Sequence, residues 1–128
     1  MERLKQRFET ARKALETLRE LSGRPEASPR DRDAAIQRFE YSFEAVWKAL
    51  QLYLAEKEGV EANSPKSCAR SSRELGLLDD ADAEAALRMA DDRNLTSHAY
   101  NEGLAKAIYA KLAGYAALMD RWLKAAGI

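Results

Sequence analysis

The stretch Arg93-Asn94-Leu95-Thr96-Ser97-His98-Ala99-Tyr100 gathers the side chains best suited to chemistry, including the only histidine of the chain. Arginine grips a phosphate in a planar fork. Histidine gives or takes a proton near neutral pH. Gathered in one pocket with an amide, two hydroxyls and a phenol, these groups suit the handling of a nucleotide or an RNA phosphodiester. On an unbroken helix, however, Arg93 and His98 stand about 140° apart, at about 100° per residue. A turn is needed for Arg93, Asn94, His98 and Tyr100 to converge. Thr96, Ser97 and Asn101 are cap-forming types and Gly103 weakens helix locally, so a break is expected here. The plain alternative pairs Arg93 with Asp91 or Asp92, sets His98 at a helix end and packs Tyr100; spacing alone favours that alternative.

Two further groups could serve a ligand. Tyr41, Glu44 and Lys48 line one side of a long helical pattern, beside its aromatic stripe, and could furnish a cleft wall. Glu44 and Lys48 at i, i+4 also make an ordinary surface pair, worth only a few tenths of a kcal/mol. Lys66, Arg70 and Arg73, spaced four and three apart, share one face of a short helix. They read either as a solvated basic face or as a nucleic-acid backbone patch beside the motif.

Other chemistries are excluded. Lys+Arg and Asp+Glu both number 21, so no global field draws in nucleic acid and any such contact must be local. One cysteine and one histidine rule out an internal disulfide and a structural zinc site. Cys68 reads as a small buried residue rather than a nucleophile. Asp80-Ala81-Asp82-Ala83-Glu84 resembles the start of a calcium loop, but Ala85 stands where glycine is needed. Asp80 and Asp82 also lack the glycine-serine loop and the strand of a nucleotide-transferring enzyme. No Walker loop, Rossmann fingerprint or nucleophile elbow is present. Without a signal-like apolar run at Met1–Lys5 or an apolar stretch long enough to span a bilayer, a cytoplasmic protein without cofactor or metal is expected.

The elements that must position these residues are all helical. Leu4, Phe8, Ala11, Leu15 and Leu18 alternate steps of four and three, predicting an amphipathic helix over 2–21. Ser28-Pro29 opens a second helix that runs to about Glu58, where Gly59 stops it. Its stripe is Ile36, Phe39, Phe43, Val46, Trp47, Leu50 and Leu54. Asn63-Ser64-Pro65 repeats the device and opens a short helix to about Leu75. A fourth helix is expected over roughly 80–93, with Ala83, Leu87 and Ala90 inward. A fifth is expected over 101–126, with Leu104, Ile108, Leu112, Tyr115, Met119 and Trp122 buried. No alternating β-branched run suggests a sheet. The expected fold is therefore all-α, an antiparallel up-and-down helical bundle of four main helices plus one short helix, in a single domain over 1–128. Ala105, Ala110, Ala113, Gly114, Ala116 and Ala117 permit close approach on the last helix, either within the core or by a second subunit. A homodimer is expected.

Together these segments resemble a known family, the nucleotidyltransferase substrate-binding proteins, a branch of the HEPN superfamily. The matching residues are Arg38-Phe39-Glu40-Tyr41-Ser42-Phe43-Glu44-Ala45-Val46-Trp47-Lys48, the Ser64-Pro65 start, Glu74-Leu75-Gly76-Leu77-Leu78-Asp79, and Asp92 through Glu102. The resemblance implies a helical homodimer encoded beside a minimal nucleotidyltransferase that binds it. For many HEPN proteins it also implies a metal-independent ribonuclease, paired with its partner as toxin and antitoxin. By that likeness Arg93 would hold the scissile phosphate and His98 would perform acid–base work. By the same likeness Asn94 would support the pocket and Tyr100 would accept AMP; from the residues themselves, Ser97, Glu44 and Lys48 are expected to support the pocket and Lys66, Arg70 and Arg73 to contact nucleic acid. Three functions stay open at this point: an RNA-cleaving toxin, a noncatalytic nucleotide- or substrate-binding subunit, and a purely structural dimer.

Overall fold

The computed structural model describes residues 2–128. Helix α1 spans Glu2–Leu21, α2 Pro29–Lys57, α3 Pro65–Glu74, α4 Asp80–Leu95 and α5 Glu102–Ala125, with a single 3-10 turn, Thr96–His98, between α4 and α5. No strand occurs among the described residues, and none of their helices is long and apolar enough to cross a membrane. The architecture is the expected all-α antiparallel bundle: α1, α2 and α5 pack together, and the α3–α4 pair closes the remaining side.

Local chemistry explains the starts. Ser28 Oγ accepts the Asp31 N–H at 3.1 Å and Ser64 Oγ accepts the Ser67 N–H at 3.0 Å, each with proline at the first helical position. Asp79 caps α4 through the Asp82 N–H at 2.8 Å, and Asn101 caps α5 through the Leu104 N–H at 3.0 Å. Each cap satisfies an N–H that has no partner within its helix. Gly59, at φ +66°, takes the left-handed conformation that ends α2.

Burial drives the assembly. All five predicted α1 positions lie in the core, with Phe39, Phe43, Leu50 and Leu54 of α2 and Ile108, Leu112, Met119 and Trp122 of α5. Phe39 stacks on Tyr115 with ring centroids 5.7 Å apart. Trp122 Nε1 donates to Ser72 Oγ at 3.0 Å, so the largest core side chain also ties α5 to α3. Leu87, Leu104 and Trp47 are half-buried rather than enclosed. The small residues of α5 divide: Ala105 and Ala116 are buried in the core, whereas Ala110, Ala113 and Gly114 are exposed. Cys68 is buried, and burial pushes its thiol up to about 12.

One ion cluster carries a pH signature. Asp120 accepts from Lys124 at 2.9 Å and lies 3.5 Å from Arg19 of α1. The Lys124 hydrogen bond, opposed by burial and helped by the Arg19 charge, holds the carboxyl below its ordinary 3.8. A carboxylate lowered by folding stabilises above its unfolded value and loses that contribution as pH falls through the folded one. Asp120→Asn is therefore expected to cost about 0.5–1 kcal/mol at pH 7. In urea titrations at successive pH values the difference from the natural chain shrinks to nothing as pH drops through and below 3.8.

Candidate functional site

Helix α4 runs two residues past its expected end, to Leu95, and the break falls on the 3-10 turn Thr96–His98. Hydroxyls next to a helix end bond back to carbonyls of the last turn, which lets the chain tighten there. Thr96 Oγ1 reaches the Arg93 carbonyl at 2.7 Å, and Ser97 Oγ reaches the Asn94 carbonyl at 3.2 Å. The Ala99 N–H bonds the Thr96 carbonyl at 3.1 Å and the Asn101 N–H bonds the His98 carbonyl at 3.0 Å, fixing the turn into α5.

Within this frame Arg93 is clamped. Its Nη1 donates to Thr96 Oγ1 at 3.1 Å and lies 3.4 Å from Glu40 Oε2. Thr96 Oγ1 in turn stands 3.0 Å from the same Glu40 oxygen, so its single proton is within reach of two acceptors. Thr96 is buried, whereas Arg93 and Glu40 keep roughly a third of their side chains open to water, 27% and 34%. The Arg93 Nε is enclosed without a partner. The expected alternative partners are used otherwise. Asp91 takes Lys66 at 2.6 Å, and buried Asp92 takes the Tyr115 hydroxyl at 2.5 Å and Lys111 at 3.3 Å. Burial and the Asp92 carboxylate both push the Tyr115 phenol far above its ordinary value, so it stays a donor to Asp92. That bond joins α4 to α5 one residue before Arg93.

The clamp separates two clefts. The first, about 310 Å3, holds Arg93 and Asn94 with Phe43, Glu44, Ser64, Pro65 and Lys66. The second, about 240 Å3, has Glu40 and Thr96 on one wall and Asp33, Ala99 and Tyr100 around it. His98 is exposed and lines neither. Its Nδ1 makes a long 3.4 Å contact with the Tyr100 hydroxyl, and the rings meet edge to face at 5.9 Å. Tyr100 is 85% exposed, an unusual position for a large aromatic. Within one chain, then, Arg93, Asn94, Glu44 and Lys66 share a cleft and His98 pairs with Tyr100. Arg93 and His98 share no hydrogen bond.

The remaining expected residues are dispersed. Lys48 pairs with Glu44 at 3.8 Å but lines a different cleft, with Arg3 and Gln51. Ser97 is exposed and spends its hydroxyl on the Asn94 carbonyl. Arg70 is exposed, and Arg73 turns to Asp80 at 2.7 Å, so Lys66 alone of the three faces the Arg93 cleft. Glu40 is the residue that motif reading left without a role, and Thr96, expected as a helix breaker, also holds Arg93 and Glu40 together. Glu40 was legible in principle, since it lies one turn before Glu44 on the same face of α2.

Fold and site together describe a class: an all-α helical bundle presenting an arginine, an amide and a histidine–tyrosine pair where its last two helices part. Residues 6–126 match the family model described as nucleotidyltransferase substrate binding protein like, and the chain belongs to that family. A crystal structure of a Thermus thermophilus protein superposes with a TM-score of 0.88 at 60% identity, covering 89% of this chain and 96% of that one. A Haemophilus influenzae protein named "Probable ribonuclease HepT" is 33% identical over 82 residues, 61% of this chain and 55% of that protein. The chain thus spans about half the length of the curated relative it matches.

Proposed function

We propose that this protein is the helical partner of a minimal nucleotidyltransferase and acts as an endoribonuclease toxin, with Tyr100 the residue that the transferase silences by adding AMP. The observation that carries the reading is the surface placement of His98 and Tyr100 beside a half-buried, side-chain-clamped Arg93 at one helix break. Arg93, steadied by Glu40 and Thr96, binds the scissile phosphate, and Asn94 and Lys66 extend that cleft. His98 takes the proton of the RNA 2′-hydroxyl as its oxygen bonds to phosphorus. The bond from phosphorus to the 5′-oxygen breaks, and that oxygen takes a proton from solvent. The products are a 2′,3′-cyclic phosphate and a 5′-hydroxyl end. Because Arg93 and His98 face different surroundings within one chain, a homodimer that sets two motif turns side by side completes the site. In silencing, the Tyr100 oxygen attacks the α-phosphorus of ATP, pyrophosphate leaves, and the phenolic proton passes to the transferase.

A second reading is favoured by one observation: Glu40 already occupies the Arg93 fork, and Arg93 does not reach His98. In that reading the protein is a noncatalytic subunit that binds nucleotide or substrate for the transferase, in keeping with the family description. The test is direct. Purified protein incubated with RNA yields cyclic-phosphate ends, and Arg93→Ala removes them. Equal cutting by Arg93→Ala rejects the nuclease site; no cutting by the natural chain, with nucleotide and transferase still bound, selects the second reading.

A further inference from the structure

Arg32 lies in the first turn of α2 with only 8% of its surface exposed. Its Nε is enclosed without a partner, and among the described residues no carboxylate or carbonyl bonds its guanidinium. A mostly enclosed guanidinium with no counter-charge is under-satisfied, and its remaining nitrogens are left to the cleft it lines. The positive end of the α2 dipole is a further cost for a cation and favours an anion in its place. Three unfavourable circumstances therefore converge on one side chain, and a bound anion relieves all of them.

The space for it is present. Arg32 lines a cleft of about 440 Å3 between the α1–α2 loop and α5, with Arg24, Pro25, Glu26, Lys106 and Tyr109. The loop wall is pinned: the Tyr109 hydroxyl donates to the Leu21 carbonyl at 2.7 Å and accepts the Arg24 N–H at 3.1 Å. Arg24 and Lys106 lean on Asp31 and Glu102 at 3.6 and 3.3 Å, in exposed pairs of little strength. Glu26 is the one acidic side chain of the lining, against three cations. Neither of the clefts beside Arg93 and Tyr100 contains any of these residues; α2 turns Arg32 into this cleft and Asp33 towards Tyr100.

We propose that this cleft is a second, separate binding site for the phosphate group of a small ligand, with Arg32 as its anchor and Arg24 and Lys106 at its rim. Arginine forks phosphate through two parallel N–H bonds. The volume also admits a mononucleotide, whose base and sugar would lie over Pro25 and Tyr109. The site does not depend on what Arg93 and His98 do.

Calorimetry of the full chain with inorganic phosphate, AMP and adenosine tests it. Phosphate and AMP bind and adenosine does not, and Arg32→Gln weakens both about 10- to 100-fold. Equal affinity for phosphate and AMP marks a receptor for the phosphate group alone, and tighter AMP marks one that also takes the nucleoside. Phosphate raises the Tm of the natural chain by mass action and leaves that of Arg32→Gln where it was. Should Arg32→Gln not fold, exposed Lys106→Ala carries the same test, with a several-fold loss expected. No binding of either anion, or binding that Arg32→Gln and Lys106→Ala leave intact, overturns the site.

Discussion

Replacing His98 with alanine lowers RNA cleavage by about 10²–10⁴-fold, the usual worth of a positioned acid–base group, and leaves the fold untouched. The two halves of this expectation have separate grounds. The 2′-hydroxyl is a poor nucleophile until its proton is taken. Among the residues at the helix break, His98 carries the one imidazole, the side chain most often used as a general base. Its structural contribution is small, because the ring is exposed and its contact is Tyr100, itself 85% exposed. A change within about 0.5 kcal/mol in stability is expected for such a surface site. Quantifying cyclic-phosphate ends beside a urea unfolding curve reads both halves at once. Undiminished cleavage by a folded His98→Ala protein would remove His98 from the mechanism. Tyr100→Phe separates the remaining role: cleavage persists, and the transferase no longer attaches AMP.

The largest loss of stability is expected at Trp122. The indole is 1% exposed, and truncation to alanine opens a cavity costing about 3–5 kcal/mol. It also strips Ser72, itself fully buried, of its Nε1 donor at 3.0 Å. A domain of this size commonly has about 5–15 kcal/mol in all, so Trp122→Ala leaves a protein near its unfolding threshold. Trp122→Phe separates the two contributions. It keeps most of the ring volume and still leaves the Ser72 hydroxyl unpaired, for about 1–3 kcal/mol. Urea midpoints for both variants check the ordering, and a Trp122→Ala protein within about 1 kcal/mol of the natural chain would contradict the packing described.

Much of this fold is written locally. The α1 stripe and the Ser28-Pro29 and Ser64-Pro65 starts each rest on contacts within a few residues, and these are the features whose boundaries periodicity and caps recover. The end of α4 is less legible. Thr96 and Ser97 read as breakers, and their hydroxyls do bond back to the Arg93 and Asn94 carbonyls at the 3-10 turn, but the α-helix runs on to Leu95 before the chain tightens. The site is legible in its residue types and illegible in its pairings. That Arg93 answers to Glu40, fifty-three positions away, depends on how α2 crosses α4, and no spacing within either helix encodes that crossing. Arg73 illustrates the same point: it shares a helical face with Lys66 by count, yet Asp80 draws it to the next helix start. Arg32 is legible in position and not in role: Ala35, Ile36 and Phe39, at i+3, i+4 and i+7, set it on the buried face of α2, but nothing in that spacing says the charge goes unpaired.

The enclosure of Cys68 has a practical corollary. With its thiol buried and pushed up to about 12, the one native sulfhydryl holds almost no thiolate at neutral pH and ignores alkylating reagents. A cysteine placed at Tyr100, the most open large hydrophobic side chain among the described residues, is then the single reactive handle on an otherwise silent background. A fluorophore attached there reports directly when another macromolecule covers the α4–α5 turn.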